Sequence, residues 1–145
     1  EVTLKASSGN IKAGDFNKLS AEASSGDIEI GTISEDAKVK TASGKITLNG
    51  ANKLKAEAIS GDIKINSIEN NCEISSTSGN IIVDTANINE NSFIKTNSGN
   101  VVINNKNDIY VETETTSGDA DVQNNNRMSE IVLDITTTSG NIKVN

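Results

Sequence analysis

The stretch Ala56-Glu57-Ala58-Ile59-Ser60-Gly61-Asp62-Ile63-Lys64-Ile65 holds the pattern that decides the fold. Apolar and polar residues alternate on both sides of a Ser-Gly-Asp corner, and period two is the signature of a half-buried strand. Glycine takes positive φ without a Cβ penalty, and Asp or Asn beside it bonds the local backbone, so the tripeptide marks a bend between two strands. The same corner, with Asn, Asp or Lys in third place, begins at Ser8, Ser25, Ser43, Ser60, Ser78, Ser98, Ser117 and Ser139. Successive serines lie 17, 18, 17, 18, 20, 19 and 22 residues apart, which identifies a repeat protein.

With each of these serines set as position 0, the repeats align into columns. Position +3 reads Ile11, Ile28, Ile46, Ile63, Ile81, Val101, Ala120, Ile142, and position +5 reads Ala13, Ile30, Leu48, Ile65, Val83, Ile103, Val122, Val144. Before the corner, −4 reads Leu4, Ala21, Val39, Ala56, Ile74, Ile94, Thr113, Ile135, while −2 is always Ala, Thr or Ser. A further apolar column at +8 runs through Phe16, Ile33, Ala51, Ile68 and Ala86 and then fades. No stretch has helical periodicity, so the chain is all-β.

An antiparallel meander and a parallel solenoid can both use such strands. A meander gives no packing reason for column identity, whereas a solenoid stacks equivalent positions about 4.8 Å apart, Ile on Ile and Ser on Ser. The outward −3 column agrees: Lys5, Glu22, Lys40 and Glu57 alternate in sign, as stacked parallel strands favour. The expected fold is therefore a single-stranded parallel β-helix over residues 1–145, with eight coils of 17–22 residues, two main short strands per coil and a length of about 40 Å. The serines at position 0 are expected to form a ladder whose hydroxyls bond the corner amides or each other.

Composition narrows the function classes. Histidine is absent, which removes imidazole catalysis and histidine metal sites. Twenty acidic against thirteen basic residues give a net charge of −7, the wrong sign for nucleic acid. Cys72 stands alone, so no intrachain disulfide and no cysteine zinc site can form. No apolar run approaches the length of a membrane span, so direct membrane insertion is not expected. The chain opens at Glu1 without Met or a leader pattern and reads as a domain cut from a longer chain. Strand-like residues reach both termini, with no residues left over as caps, so flanking domains or end-to-end self-association are expected.

Three outward apolar residues break the polar columns. Ile82 and Val102 occupy +4, where other coils carry Lys12, Glu29, Thr47, Lys64, Asp121 or Lys143, and Phe93 occupies −5. Ile82, Val102 and Phe93 form the candidate contact patch, against the alternative that longer loops cover them. The largest insertion, Asn124-Asn125-Asn126-Arg127-Met128, is a tolerated surface loop or a second contact. Asp119 and Asp121, with Glu112 and Glu114, could perform acid–base chemistry, but they lie in columns charged along the whole rod and lack an aromatic platform. Lys45 in the +2 column argues against a calcium ladder, and the outward columns are too irregular for ice binding. No catalytic residue, metal or cofactor is assigned.

Tracts such as Thr115-Thr116-Ser117-Gly118-Asp119 and Thr137-Thr138-Ser139-Gly140-Asn141-Ile142 resemble the repeat of a bacterial family of unknown function that carries the label adhesin. The resemblance extends from Ser8 to Val144. It implies a parallel β-helix attached to envelope-associated segments of Gram-positive bacteria, with no catalytic motif to carry over. The expected function is a non-enzymatic cell-surface adhesin or rigid envelope scaffold, outside the cytoplasm, that meets an unidentified protein or glycan ligand. The alternatives are an intracellular polymer-forming solenoid and a carbohydrate-active β-helix enzyme. Composition alone fits a cytoplasmic chain equally well.

Overall fold

The computed structural model describes residues 1–145 and contains strands and turns but no helix. Thirteen strands follow in order: β1 (Val2–Ala6), β2 (Ile11–Ala13), β3 (Leu19–Ser25), β4 (Ile28–Ser43), β5 (Ile46–Ser60), β6 (Ile63–Ser78), β7 (Ile81–Ala86), β8 (Ser92–Ser98), β9 (Val101–Asn105), β10 (Tyr110–Ser117), β11 (Ala120–Val122), β12 (Val132–Ser139) and β13 (Ile142–Val144). Every strand pairing is parallel. The columns pair with themselves as a solenoid requires: Ile28 registers with Ile46, Ile46 with Ile63, Ile63 with Ile81, and Ile81 with Val101. In β4, β5 and β6 the two expected strands merge into one extended segment. The polypeptide bends there through register shifts near Asp36 and Lys53 instead of breaking.

Alternation places one core inside the coils. Ile28, Ile46, Ile63, Ile65, Ile74, Ile81 and Ile94 are fully buried, each worth about 1.5–3 kcal/mol of transfer free energy. Ile88 and Ile109, in the longer later coils, are buried as well. Two expected alternating ion pairs form outside, Lys5 with Glu22 at 3.4 Å and Lys40 with Glu57 at 3.7 Å. Their solvent exposure makes them aids to register more than sources of stability.

The serines at position 0 do not form the expected bonded ladder: all eight are exposed. Buried hydroxyls sit instead at −2, where Thr41, Thr96 and Thr137 donate to the carbonyls of Gly26, Gly79 and Gly99 in the adjacent coil. Corner amides are met by the +2 side chains. The Asp27 N–H donates to Asn10 Oδ1 at 2.9 Å, Lys45 N–H to Asp27 Oδ1 at 2.8 Å, and Asn100 N–H to Asn80 Oδ1 at 2.9 Å. This explains the Asn/Asp preference at +2: a short side-chain oxygen caps the next coil.

The stacking order also departs from chain order. Coils one to eight are those around Ser8, Ser25, Ser43, Ser60, Ser78, Ser98, Ser117 and Ser139. β12 pairs with β8 on one side and β10 on the other, and β13 lies between β9 and β11. The eighth coil is thus inserted between the sixth and the seventh, and the seventh ends the rod. The +2 bonds follow the spatial order, Asn141 N–H to Asn100 Oδ1 at 2.8 Å and Asp119 N–H to Asn141 Oδ1 at 3.0 Å.

That order explains why the seventh coil is degenerate. Its inward positions, Thr113, Thr115 and Ala120, are half-buried or exposed at the rod's end, where the adjoining eighth coil carries the buried Ile135, Thr137 and Ile142. Some capping is present after all. Asn125 closes the outer edge of β10: its Nδ2 donates to the Val111 carbonyl and its Oδ1 accepts from the Val111 N–H, both at 2.8 Å. Asn124 takes positive φ (53°) in this reversing loop, a conformation Asn tolerates better than most residues.

Candidate functional site

The face that begins with β2 and continues through β4, β5, β6, β7, β9, β13 and β11 carries the +4 column outward. In space it runs Lys12, Glu29, Thr47, Lys64, Ile82, Val102, Lys143, Asp121. Strand alternation turns Ile82 and Val102 away from the core while their neighbours Ile81, Val83, Val101 and Ile103 face into it. Ile82 remains 37% exposed, so no loop covers it, and Val102 beside it is half-buried. Lys64 and Lys143 bracket the pair, one coil away on either side, and neither makes an ion pair.

Flanking columns are amide-rich: Asn80, Asn100 and Asn141 at +2, and Asn66, Asp84, Asn104 and Asn145 at +6. Part of this rim is tied together, with Asn145 Nδ2 on Asn104 Oδ1 at 2.8 Å and Asn104 Nδ2 on the Asp84 carbonyl at 3.0 Å. The arrangement is a flat strip: an apolar centre, a free ammonium at each end and amide edges. Phe93 is 43% exposed but does not join it, because β8 belongs to the other side of the corner, where Phe93 registers with Glu73 and Asp134. Ile59, 57% exposed beside its corner, and Met128, 90% exposed in the insertion, are further outward apolar side chains. Both were visible in the sequence as apolar residues at solvent positions.

The carboxylates considered for catalysis all lie on the terminal coil. Glu112 registers with Asp134, Glu114 with Thr136 and Asp121 with Lys143, in open strand faces and not in a cleft. No three His, Cys, Asp or Glu residues are grouped to hold a metal ion. A shallow furrow of about 630 Å³ follows Lys18, Lys38, Lys53 and Lys55 on the other face. Hydrogen bonds that Lys18 donates to Asp36 and Glu35 raise its pKa, and the hydrogen bond that Lys53 donates lowers that of Glu90. Both are exposed ion-pair effects between stacked coils.

Cys72 is fully buried, and burial pushes its thiol up to about 12 from 9.0, although a Ser92 hydrogen bond opposes the shift. A buried thiol of this kind is inert because the thiolate is the reactive form. We expect a soluble disulfide reagent at pH 8 to label Cys72 only in denaturant. The sign of the pH effect follows from a folded pKa above the unfolded one. There is no contribution below pH 9, and stability is lost as pH rises from 9 toward 12 while the unfolded thiol ionises. The urea midpoint should therefore fall more steeply for the wild type than for Cys72→Ala across that window. Parallel slopes, or labelling of the native protein at the rate of a free thiol, would rule out the buried assignment.

No helix is long and apolar enough to cross a membrane. Comparison with the curated proteins gives no match, and comparison with the solved structures gives none either. The family described as Toastrack DUF4097 matches residues 1–145. A whole-length match, together with eight parallel coils sharing one corner, places this chain in the Toastrack family of β-solenoid domains of unknown function.

Proposed function

We propose that this chain is a non-enzymatic, rigid module of the bacterial cell surface that holds a ligand against the Ile82–Val102 strip. A repeat solenoid of the Toastrack family suits a structural role. One observation carries the finer reading. Two β-branched side chains point to solvent in the middle of a charged column, bracketed by two lysines with no internal partner. Amide edges and free ammonium groups suit an anionic glycan or an acidic extended peptide. The central apolar pair adds contact without demanding a cleft.

Protease shaving of intact source cells, followed by an antibody blot, tests the location. Loss of signal from intact cells supports a surface role, and full protection until lysis removes it. For the contact, the double substitution Ile82→Asn/Val102→Asn should lower binding to cell-wall glycans or matrix proteins at least tenfold. Its melting temperature should move only slightly, since exposed substitutions change stability by about 0.5 kcal/mol or less. Unchanged binding by that variant would remove the strip from the function.

A further inference from the structure

We propose that a furrow along coils two to four, on the side that follows position +5, binds a neutral oligosaccharide laid along the rod. The site is separate from the Ile82–Val102 strip and does not rest on it. Positions +6, +7 and +9 of these coils surround the buried +8 residues Ile33 and Ala51 and line a concavity of about 530 Å³. That is the size of an ordinary small-ligand site, roughly 300–1,000 Å³.

Gly50 makes the furrow. It stacks in register between Thr32 and Ser67, so the +7 column carries a hydroxyl side chain on either side of a gap. The corner glycines are required by positive φ, and all but Gly9 also by a carbonyl at the Cβ position, whereas Gly50 has neither constraint. The nearest atoms to a Cβ there are Thr32 Cγ2 at 3.4 Å, Thr32 Oγ1 at 3.7 Å and Ser67 Cβ at 4.0 Å, all ordinary contacts. The backbone would accept a side chain, and a glycine inside a strand weakens it. What the glycine supplies is the open space above it, as where a ligand comes close to a strand.

The groups around the gap are hydroxyls and amides held in place. Asn66 Nδ2 donates to Asn49 Oδ1 and Asn49 Nδ2 to Thr32 Oγ1, both at 3.1 Å, a rail that crosses three coils. On the other side Glu69 is fixed, its Oε1 accepting from Ser67 Oγ at 2.8 Å and its Oε2 from Asn87 Nδ2 at 3.1 Å. Each amide of the rail keeps its second N–H for a ligand. The furrow has no Lys or Arg in its lining, and Glu69 is its only charge, so an anion would find nothing to pair with. A peptide cannot add by its main chain, because β4, β5 and β6 are each paired on both sides. Groups that both donate and accept, repeated about every 4.8 Å along the rod, suit the hydroxyls of a linear neutral saccharide. One ring would lie over Gly50, with its hydroxyls reaching the rail on one side and Glu69 on the other.

Titration of the isotope-labelled chain with cellotetraose, maltotetraose and N-acetylated chitotetraose, followed by NMR, is the test. The expected result is saturable movement of the Gly50 N–H and of the Asn49 and Asn66 side-chain amides with at least one of these sugars. Gly50→Val fills the gap and should weaken that binding about tenfold or more, with a melting temperature no lower than the wild type's, since valine favours strands. Asn66→Ala removes one end of the rail at an exposed position, should also weaken binding, and carries the test should the valine not be accommodated. Ile82→Asn/Val102→Asn should bind these sugars as the wild type does, which separates this site from the strip. The proposal is overturned if none of the three sugars moves the named amides. It is overturned equally if Gly50→Val and Asn66→Ala bind as the wild type does, or if the only signals that move are those of Ile82 and Val102.

Discussion

Gly61→Ala is expected to lower the stability of this solenoid by at least about 3 kcal/mol, and Gly9→Ala by distinctly less. Gly61 has φ 140°, a region closed to L side chains, and holding a non-glycine residue in such a conformation costs about 1–3 kcal/mol. A Cβ there would also meet the Gly44 carbonyl oxygen at 2.0 Å, and neither backbone can withdraw without breaking the Gly44 N–H to Ser60 carbonyl bond that fixes the joint. Gly9 shares the positive φ, at 105°, but a Cβ there has nothing within 4 Å, so only the conformational cost remains. Urea midpoints of the two variants separate these terms. Because the whole stability of a domain is about 5–15 kcal/mol, the Gly61 variant should lose a large share of it or fail to fold. Equal midpoints for the two variants would show that close stacking of corners contributes nothing.

The corner also shows which parts of this fold are legible from sequence and why. Column identity reads directly as parallel stacking, because only stacked coils give Ile28, Ile46, Ile63 and Ile81 the same neighbours. The expected role of the position 0 serines fails on a finer point. Which of two small polar residues near a bend turns inward depends on the backbone path, and it is Thr41, Thr96 and Thr137 at −2 that do so. The candidate patch divides for a related reason. Ile82 and Val102 share a column and adjoin, whereas Phe93 carries the same outward signal on a strand before the corner. Exposure is written in the pattern, but which outward residues share a face depends on the turn between strands.

The order of the last coils is hidden more deeply. Every coil presents the same columns, so each fits on any other, and self-comparison is blind to permutation. Two traces remain in the sequence. Thr113 and Ala120 replace the usual aliphatic residues, as suits a coil with one face to solvent, and the longest interval, 22 residues, contains the loop that turns back. The eighth coil carries Ile135 and Ile142 instead, with the aliphatic character of a layer covered on both sides.

The inserted layer therefore widens the gap between two substitutions beyond what chain order would give. Ile135 has no exposed surface and lies between Ile94 and Thr113, so Ile135→Ala should cost about 2–5 kcal/mol through lost transfer energy and the cavity left behind. Thr113 is half-buried at the rod's end, and Thr113→Ala should cost under about 1 kcal/mol. With coils stacked in chain order, Ile135 would lie on the terminal layer and Thr113 would be enclosed between two isoleucines, so the loss at Ile135 would shrink toward that of a half-exposed residue. Urea midpoints of the two variants distinguish the arrangements. Hydrogen exchange supplies a second readout that no mutation disturbs. Backbone amides of β12, bonded within the stack, should exchange more slowly than the outward-facing amides of Thr113 and Thr115 in β10. Faster exchange in β12 than in β10, together with a loss of under about 1 kcal/mol for Ile135→Ala, would restore chain order. The converse pair of results requires a native contact closed across the 41 residues that separate Asn100 from Asn141, a longer loop than any that stacking in chain order would need.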